Sequence, residues 1–252
     1  MLIDTNVNLG PWPFTPVPAR TGAQLAAHLA ANGIRRALVS HLGAVFLPDP
    51  MPANRELFAA VRRTPALLPV PILNPTLATW REQLAACRAA VPGLRAVKIL
   101  PNYHNYKLSS RRLDAFMAAL AEAKLKLVLN VRLEDERHKY FALRIKGVPV
   151  AALDAFLKRF PSHHVLLTGI YKNELEKLAL THTNFSADIA FCECLNTLEA
   201  LLEKVSARRL LLGTCTPLLS TRGEVDKLRC AKIPAKAQAL IGTENARRFF
   251  KL

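Results

Sequence analysis

Seven side chains in this sequence have the character to bind or transform a small molecule, and each lies within or beside a short apolar run: Asn6, Asn8, His41, Lys98, Asn130, Arg132 and Cys215. In an extended strand, side chains two apart share a face, so Asp4, Asn6 and Asn8 are expected to line up together. A charge inside a strand is expensive unless paired. Lys98 and Arg132 therefore have two solutions. One is an ion pair with Asp4, Glu134 or Asp188; the other is a bound carboxylate or phosphate, for which arginine offers a two-pronged fork. The asparagines either bond one another and buried water or serve as donors and acceptors to a ligand. Cys215 as a nucleophile would need a base such as His41; no spacing brings the two together, and a buried thiol is the simpler reading. Asp4 and Asp188 are the acid–base candidates.

The elements that must carry these groups follow from periodicity. Apolar runs at Leu2–Asn8, Ala37–His41, Leu67–Asn74, Arg95–Leu100, Lys126–Leu133, His164–Ile170, Thr183–Ile189 and Arg209–Thr214 read as strands. Helical stretches separate them near Ala23–Asn32, Ala53–Arg63, Leu77–Ala90, Arg111–Ala123, Pro149–Phe160, Asn173–Leu180 and Leu195–Val205, and an eighth lies near Ala235–Phe250. Leu113, Phe116, Met117 and Leu120 trace the stripe of a helix with one buried face. Strict alternation demands parallel strands joined by crossover helices. Eight units in 252 residues predict an α/β fold, a single (β/α)8 TIM barrel forming one domain over residues 1–252, with an open doubly wound sheet as the runner-up. In a barrel, chemistry sits where strands end and loops begin. The Pro11–Pro18 and Pro48–Pro52 loops and the basic stretch Arg222–Lys236 are expected at that mouth, with Trp12 and Phe14 packing a loop or walling a pocket.

Four stretches, taken in order, resemble the amidohydrolase-related proteins (the amidohydrolase 2 group of metal-dependent hydrolases and decarboxylases). Met1-Leu-Ile-Asp-Thr-Asn-Val-Asn-Leu-Gly10 is similar to the opening strand, which in the family continues into His-x-His. Arg95-Ala-Val-Lys-Ile-Leu-Pro101 resembles the fourth strand, Arg208-Arg-Leu-Leu-Leu-Gly-Thr-Cys-Thr-Pro217 the "RllfGSDyP" strand, and Ile241-Gly-Thr-Glu-Asn-Ala-Arg-Arg-Phe-Phe250 the closing helix. The resemblance implies an amidohydrolase-like barrel with a divalent metal held by imidazoles and an aspartate. This chain departs at each implied ligand: Asn6 and Asn8 stand for His-x-His, Asn130 for the strand-five histidine, Thr168 for the strand-six histidine and Cys215 for the strand-eight aspartate. Some members of the wider superfamily carboxylate the strand-four lysine to bridge metals, a role for Lys98 that lapses without the histidines. Catalytic zinc wants three good protein donors and an open position, and carboxamide and hydroxyl oxygens are poor replacements. The remaining histidines (His28, His41, His104, His138, His163, His164, His182) do not rebuild the set. No metal and no cofactor are expected.

Composition bounds the rest. Apolar residues at 51% exclude a disordered chain, and five cysteines without regular spacing read as reduced thiols of a cytoplasmic protein. No signal-peptide pattern and no apolar run of about 18 residues appears, so no membrane association is expected. Thirty-five Lys and Arg against nineteen Asp and Glu leave a formal charge of +16, which attracts polyanions non-specifically. No nucleic-acid-binding signature accompanies it, so no specific nucleic-acid partner is expected. The sequence reading is thus a metal-free barrel, a pseudoenzyme or a binder of a small anionic ligand. The alternatives are a hydrolase or decarboxylase working without metal or with an unusual site, and a basic, polyanion-associated interaction protein. Oligomeric state is not encoded in these patterns.

Overall fold

Each apolar run becomes a strand, and every neighbouring pair is parallel. A computed structural model describes residues 1–17, 19, 21–140 and 144–252, with the side chain of His138 outside the described set. The strands are β1 (Leu2–Leu9), β2 (Ile34–His41), β3 (Leu67–Pro69), β4 (Ala96–Ile99), β5 (Lys126–Asn130), β6 (Val165–Thr168), β7 (Phe185–Asp188) and β8 (Leu210–Leu211). Ladders run β1-β2-β3 and β4-β5-β6-β7-β8. Backbone hydrogen bonds stitch the two seams. Lys98 N donates to Pro71 O at 2.8 Å and Leu73 N to Lys98 O at 2.9 Å. On the other side, Thr5 N donates to Leu212 O at 2.8 Å and Asn8 N to Thr216 O at 2.7 Å. The architecture is a (β/α)8 TIM barrel.

Helices α1 (Gly22–Ala31), α2 (Met51–Val61), α3 (Trp80–Ala90), α4 (Arg112–Glu122), α5 (Val150–Arg159), α6 (Lys172–Ala179) and α7 (Thr197–Leu202) follow strands one to seven. Each buries one stripe; on α4 it is Leu113, Phe116, Met117 and Leu120, as the spacing predicts. Helix α1 opens with a reciprocal cap in which Thr21 and Gln24 each accept the other's backbone N–H. Strand β8 is followed by α8 (Thr221–Arg229), which starts at the mouth, where Lys227 Nζ donates to Ile189 O at 3.1 Å and Ala190 O at 3.2 Å just past β7, so the stretch Arg222–Lys236 meets the mouth only through the first part of this helix. Its Arg229 guanidinium reaches Gly33, just ahead of β2, so the helix runs down the outside wall. The stretch Ala235–Phe250 is an extra element: α9 (Ala235–Ala239), a π-helical turn and α10 (Asn245–Phe250). It brings Ala246, Phe249 and Phe250 beneath the barrel, against Ile3, Leu38, Ala96, Val128, Leu166 and Leu211. Fully burying each phenylalanine contributes roughly 2–3 kcal/mol.

Irregular pairing positions the interior. The pairing of β1 with β2 slips by a residue between Leu2 and Ile3 and again between Asp4 and Val7. Ile3 joins the apolar plug at the base, while Val7 and Leu9 pack outward against α1 and α2. Strand alternation then leaves Asn6 and Asn8 on the opposite, interior face.

Candidate functional site

Three strands meet at a buried polar knot inside the barrel. Lys98 Nζ donates to Asn6 Oδ1 at 3.1 Å, and Asn6 Nδ2 donates to Asp188 Oδ2 at 2.8 Å. The second Asp188 oxygen accepts the Gly169 N–H at 3.0 Å. Gly213 lets β8 pass this carboxylate, since a Cβ there would stand 2.6 Å from the Asp188 Cβ. Lys98 is 2% exposed and Asp188 fully buried. Burial is the largest influence on both. It pushes Asp188 up to about 6 and Lys98 below its ordinary value, while the neighbouring acids Asp188 and Asp4 pull the lysine back upward.

Asp4 belongs to a second arrangement. Its Oδ1 accepts the backbone N–H groups of Asn6 at 3.1 Å and Thr214 at 3.0 Å, and its Oδ2 accepts the Thr214 hydroxyl at 2.6 Å. From there a chain of hydroxyls runs outward. Thr214 Oγ1 meets Thr216 Oγ1 at 2.5 Å, Thr216 meets Thr221 at 2.7 Å, and Thr221 meets His28 Nε2 at 2.8 Å. Desolvation lifts the Asp4 carboxyl to about 7, against the opposing Thr214 hydrogen bonds.

Arg132 lies just past β5 and is fully engaged. Its two terminal nitrogens grip Glu174 at 2.7 and 2.8 Å, Nη2 reaches Glu136 at 3.2 Å, and Nη1 donates to Gly169 O at 2.9 Å. The Tyr171 ring covers the guanidinium at 3.6 Å. The ion pair is therefore with Glu174 and Glu136, correcting the expected partners Asp4, Glu134 and Asp188. Sequence reasoning missed Glu174. A local signal existed, because Glu174 sits in the first turn of α6 and also accepts the Tyr171 N–H at 3.0 Å, a helix-start pattern.

The other candidates are dispersed. Asn8 Nδ2 donates to Thr216 O at 3.3 Å. Asn130 Nδ2 donates to Arg132 O at 3.0 Å and Thr168 Oγ1 at 3.3 Å, leaving its buried Oδ1 without a donor. His41 accepts the Gly43 N–H at Nδ1 and faces Glu56 across 3.4 Å. Cys215 points its thiol at Leu133 O, 3.5 Å away, and burial drives its pKa far above the ordinary thiol value. The cysteine–histidine pair thus has neither geometry nor thiolate.

Above the knot, where barrel enzymes open their sites, the loops close with apolar groups. Trp12 and Val17 after β1, Leu42 and Val45 after β2, Leu100 after β4, Leu133 after β5, Phe191 after β7 and Cys215 after β8 form one buried cluster. His104 Nε2 ties the fourth loop to the second through Ala44 O at 2.9 Å. Trp12 packs a loop, whereas Phe14 is 64% exposed and rests edge-on against Trp12 at 5.6 Å.

A divalent metal, implied by the resemblance, fits these donors poorly. Asn6 is occupied through both its oxygen and its nitrogen, the oxygen by Lys98 Nζ. Among the described residues, no three His, Cys, Asp or Glu side chains converge as a metal site.

No family model matches the sequence, and no curated protein matches it. Solved structures match its fold over the whole chain. The 5-carboxyvanillate decarboxylase of Sphingomonas paucimobilis has a TM-score of 0.77 at 16% identity, covering 100% of this chain and 99% of that one. A dihydroxybenzoic acid decarboxylase of Polaromonas sp. JS666, with bound manganese and 2-nitroresorcinol, has 0.76 at 15%, covering 100% and 97%. A probable 2-pyrone-4,6-dicarboxylic acid hydrolase of Acinetobacter baumannii has 0.73 at 13%, covering 100% and 99%. The chain shares the barrel fold of these decarboxylases and hydrolases, the fold that the sequence resemblance implied.

Proposed function

We propose that this chain is a pseudoenzyme, one domain over residues 1–252, related to the amidohydrolase-type barrels and holding a lysine where they hold a metal. The observation that carries the reading is the Lys98–Asn6–Asp188 knot, sealed beneath apolar loops. A fixed ammonium supplies positive charge to the interior, its acceptors come from the protein, and the cap leaves reactants no access. A cytoplasmic location and the absence of a cofactor belong to the same reading. A small anion held by Lys98 and Arg132 finds less support, because both cations are already met by their own acceptors. Incubation with aromatic carboxylates, lactones and amides, with and without added manganese or zinc, tests the proposal. The expected result is no turnover above a protein-free control, and turnover by the native chain would overturn it.

A second reading, a decarboxylase or hydrolase with an unusual site, draws support from the activities of the fold neighbours and from Asp4 and Asp188, whose carboxyls titrate near neutrality. It requires the apolar loops to open, and the same assay decides it.

A further inference from the structure

We propose that the closed, N-terminal end of the barrel carries a binding pocket for a phosphate-bearing ligand, built by Lys124, Lys126, His163, His164 and Lys251. The site is independent of the mouth and of the reading given to it. Topology creates it, because residues immediately ahead of each strand gather at this end. Lys124 and Lys126 lead into β5, His163 and His164 into β6, and Lys251 ends the helix folded beneath the barrel.

These side chains surround a cavity of about 340 Å³ that also reaches Met117 and Leu120 of α4. Its size is that of a small-molecule site, and no lining residue is acidic. The nearest acid along the chain, Glu122, faces a different cavity beside Arg88. Among the described residues, none of the three lysines makes a salt bridge. The cations instead crowd one another. Lys251 presses on Lys126, and Lys126, Arg209 and Arg248 press on His164. Local packing fixes the frame: His163 Nε2 bonds Met117 O at 3.1 Å, His164 Nε2 bonds Ser186 Oγ at 2.9 Å, and Lys126 Nζ lies 5.3 Å from the Phe249 ring.

Solvated lysines at helix ends are common, and Lys124 and Lys251 do follow α4 and α10, where cations suit the helix dipole. That accounts for two of the charges but not for Lys126, a half-buried strand residue, or for a concave wall without an acid. Three lysines lining one small cavity suit an anion of more than one charge, which points to a phosphate ester or pyrophosphate rather than a monocarboxylate.

Calorimetric titration with inorganic pyrophosphate at about 0.15 M salt, on the full chain, tests the site. The expected result is saturable binding at one per chain, weakened about tenfold or more by Lys126→Gln with Lys251→Gln. The same charge removed at the opposite end, by Lys107→Gln with Arg111→Gln, should leave it unchanged, and thermal melts confirm that both variants fold. A single-stranded RNA oligonucleotide forms the second arm. If RNA binds with the same dependence on Lys126 and Lys251 while pyrophosphate does not, the phosphates are those of a polynucleotide. Equal weakening by both double variants, or no saturable binding of either probe, overturns the proposal.

Discussion

Asn6 stands between Lys98 and Asp188, accepting from the ammonium at 3.1 Å and donating to the carboxylate at 2.8 Å. The amide acts as a neutral adaptor that satisfies both charges without placing them in direct contact. The asparagine and the lysine are therefore mutually consistent.

The first consequence is energetic. Removing one partner of a buried charged set leaves the other uncompensated, at a cost of about 3–5 kcal/mol. Lys98→Met is expected to lose stability of that order in urea unfolding, and Asp188→Asn added to it should recover part of the loss. A change below about 0.5 kcal/mol would place the ammonium outside any stabilising network.

Acid–base behaviour follows from Asp4. Its folded-state carboxyl titrates at about 7 rather than 3.8, so the native chain holds this proton more tightly than the unfolded one. Its contribution is favourable at acid pH and is lost as pH rises from about 4 to 7, by on the order of 4 kcal/mol. Asp4→Asn keeps an acceptor for the two backbone N–H groups and removes the titration. Denaturant midpoints measured across this range should show a flatter profile in the variant; an unchanged slope would mean that the carboxyl is not desolvated.

Arg132 is expected to behave as a clamp between β5 and α6 rather than as a ligand contact. Arg132→Met should destabilise the chain by about 3–5 kcal/mol, and Arg132→Lys by less, since lysine keeps the charge although it cannot span both Glu174 oxygens. A double-mutant cycle with Glu174→Gln should give a coupling above about 1 kcal/mol; additive effects would contradict the paired geometry.

Thiol chemistry reports on the closed mouth. Cys194 and Cys230 are exposed, whereas Cys87, Cys192 and Cys215 are buried. A disulfide reagent applied to the native protein should label two of the five thiols and reach the others only on unfolding. Rapid labelling of Cys215 would show that the loops above Lys98 open freely.

Much of this was legible in the residues and some was not. Strand alternation, the placement of Asn6 and Lys98 in strands and the stripe of α4 all follow from local periodicity, which neighbouring side chains dictate. The register slip of β1 past Asp4 was not legible, because pairing with β2 decides it and Asp4-Thr5-Asn6-Val7-Asn8 alternates smoothly on paper. Nor was the Glu174 partner of Arg132, 42 residues away, for the sequence offered Glu134 nearer by. Helix α8 was hidden by its charge: Thr221-Arg-Gly-Glu-Val-Asp-Lys-Leu-Arg229 buries only a narrow edge, with Val225 and Leu228 as its apolar contacts. The apolar cap is assembled from single residues of separate loops, a pattern without sequence period.

The central claim is that Lys98, not a metal ion, provides the positive charge inside the barrel. Elemental analysis of protein purified without chelator, and again after incubation with manganese and zinc followed by desalting, addresses it directly. The account predicts far less than one equivalent of any transition metal per chain in both samples. One retained equivalent, lost on substitution of Asn6 or Asp188, would contradict it.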